Sequence, residues 1–190
     1  MDENTMQAIC SATERVVADV EPAHHHLPTP CSEWTVHDLA NHLLATLELG
    51  RALLSDQMPD VQAGPGQVPA ADLVGDDLLG AYRARSKALV AATTPEAVGR
   101  MHTTPLGQMP GAGLAGFAAL DVLVHGWDLA KAVGVDAEID ASLAESMLAF
   151  ARQAIGDEIG TRAPRIGPEV AVATGADPTA RLVAYLGRTP

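Results

Sequence analysis

Apolar residues recur at three- and four-residue steps from the start of the chain. Met6, Ile9, Ala12, Val16, Val17 and Val20 share one face and predict a first helix over residues 3–20. Pro22 closes it. His24-His25-His26 follow, in a segment closed by Pro28 and Pro30. They read as a loop, although a triple histidine also suits a metal tract or part of a purification tag. The second helix is predicted from Val36 to about Leu54, with Val36, Leu39, Leu43, Leu47 and Leu54 on its apolar face. Thr35 is its expected N-cap, Asp38 completes a capping box, and Trp34 and Leu39 hold the positions of a hydrophobic staple. His42 shares a stripe with Asp38, Leu39 and Thr46 and is expected to point inward, with His37 nearer solvent.

Residues 55–70 form a loop rich in Pro and Gly, long for a helix connection and so expected to cover something. A third helix is predicted over residues 72–92, carried by Leu73, Leu78, Leu79, Tyr82, Leu89 and Val90. Residues 99–113 read as an extended loop with room for one short strand, with His102 exposed. The fourth helix runs from about Ala112 to Val133 and stops at Gly134, in the place that glycine fills best. A fifth spans about 140–155, with Leu143, Met147, Leu148 and Phe150. The tail is broken by Pro164, Gly167 and Pro168. Within it Val170-Ala171-Val172 suits a short strand, and Asp177-Pro178 opens a last short helix to Leu186. The pattern predicts an all-α protein: a four-helix bundle with an extra C-terminal helix and an irregular tail. The bundle is assigned to residues 1–155 and the tail, packed on it, to 156–190.

Composition sharpens this picture. The 190 residues fit one domain, alone or with a small appendage, and are 47% hydrophobic, enough for a real core. Aromatics make up only 3%, so Leu, Ala and Val must fill that core, and Ala and Leu favour helices. A formal net charge of -12 argues against a nucleic-acid partner and against docking on anionic membranes. The charge is uneven. Residues 1–150 carry 7 Lys+Arg against 20 Asp+Glu, and residues 151–190 carry 5 against 4, so the tail is locally arginine-bearing. Two cysteines, Cys10 and Cys31, are too few for a disulfide framework. With no signal-like or membrane-spanning apolar run, a cytoplasmic protein is expected.

The candidate chemistry lies in the apolar segment 114–133, which Asp121, His125 and Asp128 interrupt. Positions i, i+4 and i+7 fall on one helical stripe. Asp-x-x-x-His lets two side chains one turn apart grip a single divalent ion. The plainer reading is a buried histidine held by a neighbouring aspartate. Helical bundles build metal sites from inward residues on different helices, and His42 adds a second imidazole. Two nitrogens and one carboxylate suit zinc with an open position, and nickel or non-haem iron equally. Asp128 either orients the His125 imidazole or replaces Asp121 as the ligand.

Four stretches resemble a known family. They are Pro-Thr-Pro-Cys-x-x-Trp-Thr-Val at 28–36, Leu-x-x-His-Leu at 39–43, Asp-x-x-x-His-Gly-Trp-Asp-Leu-Ala at 121–130, and an ending from Thr179-Ala180-Arg181-Leu182 through Gly187-Arg188-Thr189-Pro190. Together they look like the metal-binding domain of the mycothiol-dependent maleylpyruvate isomerase family, within the DinB-like superfamily of four-helix bundles. The resemblance implies zinc held by His42, Asp121 and His125, with mycothiol as cosubstrate. It implies a metal-stabilised thiolate that adds to an electrophile, as a transfer or as a cis–trans isomerisation. Arg181 and Arg188 would hold a carboxylate of the thiol or substrate. Cys31 is either a reactive thiol near the site or a small residue packed at a helix start.

Two departures stand out. The isomerase has Glu where this chain has Asp121, one methylene shorter, and it carries a separate C-terminal domain where this chain has residues 156–190. Both set the expected reaction apart from isomerisation of maleylpyruvate itself. The rival expectation is a non-catalytic bundle that binds metal or a small ligand as a sensor or partner-binding module.

Overall fold

The computed structural model describes residues 1–59, 67–105, 107–155 and 166–190. These fall into two compact units, Met1–Ala137 and Glu138–Pro190. The first unit holds α1 (Glu3–Ala18), α2 (Val36–Leu54), α3 (Leu78–Ala92), α4 (Pro95–Gly99), strands β1 (Met101–Thr104) and β2 (Gly107–Pro110), and α5 (Gly111–Val133). Helix α1 packs on α5, α5 on α2, α2 on α3, and α3 back on α1, which closes a ring of four helices. The described residues are therefore all-α apart from one small hairpin.

Side chains cap the starts of α1, α2, α3 and α4. Asp2 accepts from the Thr5 N–H at 2.8 Å. At the start of α2, Thr35 Oγ1 accepts from the Asp38 N–H at 3.2 Å, and Asp38 Oδ2 accepts from the Thr35 N–H at 3.0 Å, the expected capping box. Helix α5 ends at Gly134 in the left-handed region, φ 79°. Met6, Ile9, Cys10, Thr13, Val16 and Val17 form the buried stripe of α1. At the α1–α5 contact, Gly126 lets the helices approach closely, since a Cβ there would lie 2.5 Å from Thr13 Oγ1. That hydroxyl donates to the Val122 carbonyl across the interface at 3.1 Å.

Three expectations need correction in this unit. Helix α3 begins at Leu78, not at residue 72. Asp72 Oδ1 accepts from the Val74 and Gly75 N–H groups, Gly75 sits at φ 53°, and Asp77 is the true N-cap. The segment before it is pinned instead by buried Asn41, whose amide donates to Ala71 O at 2.9 Å and accepts from the Leu73 N–H at 2.7 Å. Residues 101–110 hold two paired antiparallel strands rather than one, with Met101 opposite Pro110 and Thr104 opposite Gly107. His102 is buried, not exposed. Burial alternates along β1 and turns this ring inward, where Nδ1 lies 2.8 Å from Asp56 Oδ1 and Nε2 2.7 Å from the Ala97 carbonyl oxygen.

The second unit holds α6 (Ala141–Ile155) and α7 (Pro178–Tyr185), which pack on each other. Helix α6 lies in the same compact unit as the tail. Residues 170–172 do not form a strand, and Val170 makes one backbone bond to Ala184 O at 2.9 Å. Arg152 stacks over the Tyr185 ring at 4.5 Å and pairs with Glu169 at 2.9 Å. Pro164 lies outside the described residues. No helix among the described residues is long and apolar enough to cross a membrane.

Candidate metal centre

Helices α2 and α5 are neighbours in the ring, and their inward stripes carry the polar residues singled out above. The apolar periodicity of α2 turns His42 into the interface, and that of α5 turns His125. Both rings are buried, and they meet edge to face with centroids 4.9 Å apart. Asp121 lies between them. Its Oδ2 is 3.2 Å from His42 Nε2, and its Oδ1 is 3.2 Å from His125 Nε2. The structure therefore brings His42, Asp121 and His125 together, with ligand-capable atoms all within 4.8 Å of one another.

The other ring nitrogens are already engaged. His42 Nδ1 lies 2.8 Å from the Gln67 carbonyl, which only accepts, so Nδ1 carries the hydrogen. His125 Nδ1 faces Asp128 Oδ2 at 3.0 Å and donates to it in the same way. In their neutral forms both imidazoles then turn a bare Nε2 lone pair towards the Asp121 carboxylate. Thr46 Oγ1 donates to Asp121 Oδ2 at 2.7 Å, which supplies one proton to this crowd of acceptors. Three lone-pair atoms at such distances are stable only with a cation, or added protons, among them. Two imidazoles and a carboxylate are also a donor set that zinc accepts.

Without a metal, protons fill that role. Burial disfavours charge on His125, but the Asp121 charge and hydrogen bonds with Asp121, Asp128 and Cys31 outweigh it and hold the imidazole well above its ordinary range. Desolvation, the largest single influence, opposes charge on Asp121 too. The His125 charge and hydrogen bonds with both histidines hold the carboxyl well below its usual range. Asp121 is also the open member. Its side chain is 38% exposed, against 3% for His42 and 9% for His125, so a ligand reaches the trio from the carboxylate side.

Asp128 holds the opposite nitrogen of the His125 ring, Nδ1, at 3.0 Å. It forms a second close set with His125 Nδ1 and Cys31 Sγ. Sequence reasoning placed Trp34 in a helix staple; the structure sets its ring 4.9 Å from His42 and 6.1 Å from His125. The Gln67 carbonyl was not anticipated. Its only advance signal was the length of the loop 55–70 that contains it, of which residues 60–66 lie outside the described residues. His37 sits at the rim, half-exposed and paired with Asp72 at 3.3 Å, and the histidines at 24–26 lie in and around a short 3-10 turn, Pro22–His24. Arg181 and Arg188 belong to the second unit, where Arg181 is exposed and Arg188 donates to Leu186 O at 2.9 Å.

Comparison with known proteins gives the same architecture. Two uncharacterized proteins from two Mycobacterium tuberculosis strains are each 36% identical to this chain over 165 residues, covering 85% of it and 84% of their own length. Crystal structures of the mycothiol-dependent maleylpyruvate isomerase, and of a histidine-to-alanine mutant of that enzyme, superpose with a TM-score of 0.59. They cover 83% of this chain and 67% of theirs at 16% identity, a likeness of fold. The model of the mycothiol maleylpyruvate isomerase N-terminal domain matches residues 6–130, which contain all but the first residues of α1 and the last of α5 in the four-helix ring, together with its polar centre, and the chain belongs to that family.

Proposed function

We propose that this protein is a thiol-dependent enzyme that binds a divalent metal through His42, Asp121 and His125 and uses mycothiol as cosubstrate. One observation carries the metal assignment: two imidazole Nε2 atoms from different helices face one carboxylate at 3.2 Å each, while hydrogen bonds at Nδ1 leave both Nε2 positions bare. Zinc suits this set best, with nickel and iron as the competing ions. The family name supports mycothiol, and the named activity of the solved relatives supports isomerisation or a related thiol addition.

When bound, the cation would stabilise a thiolate, the reactive form of a low-molecular-weight thiol. The chain's own residues do the rest. Gln67 and Asp128 fix the two ring orientations. Thr46 holds the Asp121 carboxylate from the α2 side. The buried rings and Trp34 keep bulk water from one side of the centre, and the exposed edge of Asp121 leaves the other open to thiol and electrophile. Arg181 and Arg188 carry no part of this reading, which rests on the first unit alone.

Elemental analysis of untagged protein tests the metal. About one ion per chain is expected, lost in His42→Ala and His125→Ala and kept in His37→Ala. Metal-loaded protein is then assayed with mycothiol, glutathione and bacillithiol against maleylpyruvate and a panel of electrophiles. Metal binding with no turnover by any thiol would leave a binding module in place of an enzyme.

A further inference from the structure

The reading above leaves Cys31 without a task. Its thiol is placed by a firmly built loop. Pro28 bridges to Thr35, the Thr29 N–H donates to Trp34 O at 3.2 Å, and the Trp34 N–H donates to Cys31 O at 3.1 Å. Thr29 Oγ1 donates to both Cys31 O and Trp34 O, at 3.1 and 2.9 Å, and accepts from the Cys31 N–H at 3.2 Å. Glu33 turns the chain at φ 76°, a conformation that costs a non-glycine residue energy. The loop so formed sets Trp34 beside both imidazoles and aims the Cys31 thiol at Asp128.

At Asp128 one oxygen serves two donors. Oδ2 accepts from Cys31 Sγ at 3.2 Å and from His125 Nδ1 at 3.0 Å, with Sγ 3.7 Å from Nδ1. The carboxylate is fully buried, so bulk water cannot make up for what either donor takes. Two donors on one oxygen draw on the same electron density, and each weakens the other. The pull that a carboxylate exerts on Nδ1–H sets how basic the far nitrogen of the ring is as a metal ligand. That far nitrogen, His125 Nε2, is the one that faces Asp121 and His42.

We propose that Cys31 is a positioning residue of the candidate metal centre: by sharing Asp128 Oδ2 with His125 Nδ1, its S–H group tempers the ligand strength of His125 Nε2. The inference rests on the metal reading above and adds to it a residue that touches neither metal nor substrate. It makes an unusual ordering. A stronger donor at residue 31 weakens metal binding, and removal of the donor strengthens it.

Titration of the full-length, metal-free protein with Co²⁺ tests this, followed by its visible absorption. The dissociation constant should be lowest for Cys31→Ala, intermediate for wild type and highest for Cys31→Ser, with steps of about threefold, smaller than the loss of a direct partner of a ligand. Cys31→Val fills the space without a donor and should follow Cys31→Ala, which covers the case in which alanine disturbs the loop. No sulfur-to-cobalt charge-transfer band should appear in wild type. If Ser equals wild type while Ala and Val bind worst, Cys31 is a packing residue and the proposal falls. A charge-transfer band, or two ions per chain, would make Cys31 a ligand with His125 and Asp128 and also overturn it. Equal affinities for all four proteins end the Cys31 role alone, whereas no Co²⁺ binding by wild type ends the metal reading and this inference with it.

Discussion

His42 and His125 stand edge to face, 4.9 Å between ring centroids and 89° between planes, and both turn Nε2 towards the same carboxylate. Neither ring is held there by the other. His42 is fixed through Nδ1 by a backbone carbonyl, and His125 through Nδ1 by Asp128. The two supports differ in kind, since a carbonyl cannot be mutated away and a carboxylate can.

Asp128→Asn should therefore separate orientation from ligation. The amide keeps the shape of the side chain but loses the charge that strengthens the bond from His125 Nδ1. Metal affinity is expected to fall about 10- to 100-fold while the fold persists. Competition with a chromophoric chelator measures the affinity, and far-UV circular dichroism checks the fold. Unchanged affinity would mean that packing, not Asp128, sets the ring.

The pair His125–Asp121 gives the metal-free protein a definite dependence on pH. The His125 value is raised well above 6.5, so its contribution is present below the unfolded value and lost as pH rises through the folded one. The Asp121 value is lowered well below 3.8, so its contribution is present above the unfolded value and lost as pH falls through the folded one. Between these limits the pair stabilises the bundle. Asp121→Asn should destabilise the metal-free protein most near neutral pH and converge with wild type at both extremes, as read from urea midpoints in excess chelator. The same proton on His125 competes with a cation, so metal affinity should weaken as pH falls.

How much of this was legible in the sequence depends on how local each cause is. The capping box at Thr35 and Asp38, the stop at Gly134 and the inward turn of His42 follow from spacing within one helix. The nearness of His42 to the Asp121–His125 pair needed only the further assumption that α2 and α5 are neighbours. His102 was misplaced because its burial depends on a hairpin that carries it against Asp56 and Ala97. The start of α3 was misplaced because Asp72 and Asp77 are both good cap residues, and only Gly75 at positive φ separates turn from helix. The aim of Cys31 at Asp128 comes from an irregular loop with Glu33 at positive φ, and no periodicity encodes that.

The two cysteines should differ sharply towards alkylation. Burial pushes the Cys10 thiol up to about 12, and its side chain lies inside the α1 stripe. Cys31 is only half-buried. Iodoacetamide followed by peptide mass mapping should label Cys31 in the native protein and Cys10 only once urea opens the bundle. Early labelling of Cys10 would show that α1 opens locally below the global transition.

The last prediction concerns the helix pair behind the centre. Gly126 follows His125 directly, and a Cβ at this position would meet Thr13 at 2.5 Å from Oγ1, 3.0 Å from Cγ2 and 3.1 Å from Cβ. Threonine is stiff at χ1, and its hydroxyl is tied to Val122 O, so it cannot swing away without losing that bond. Alanine would gain about 1 kcal/mol of helix propensity over glycine. Forcing α1 from α5 costs about 1–3 kcal/mol of overpacking and leaves the Thr13 hydroxyl poorly satisfied, so Gly126→Ala should be destabilising on balance. Thr13→Ala in the same chain removes the two nearest atoms, Oγ1 and Cγ2, and leaves Cβ at 3.1 Å, so the double variant should recover part of the loss. Urea denaturation of the four proteins gives the coupling. If Gly126→Ala is as stable as wild type, α1 and α5 are not in close contact at this turn, and the backbone that carries His125 is held by something else.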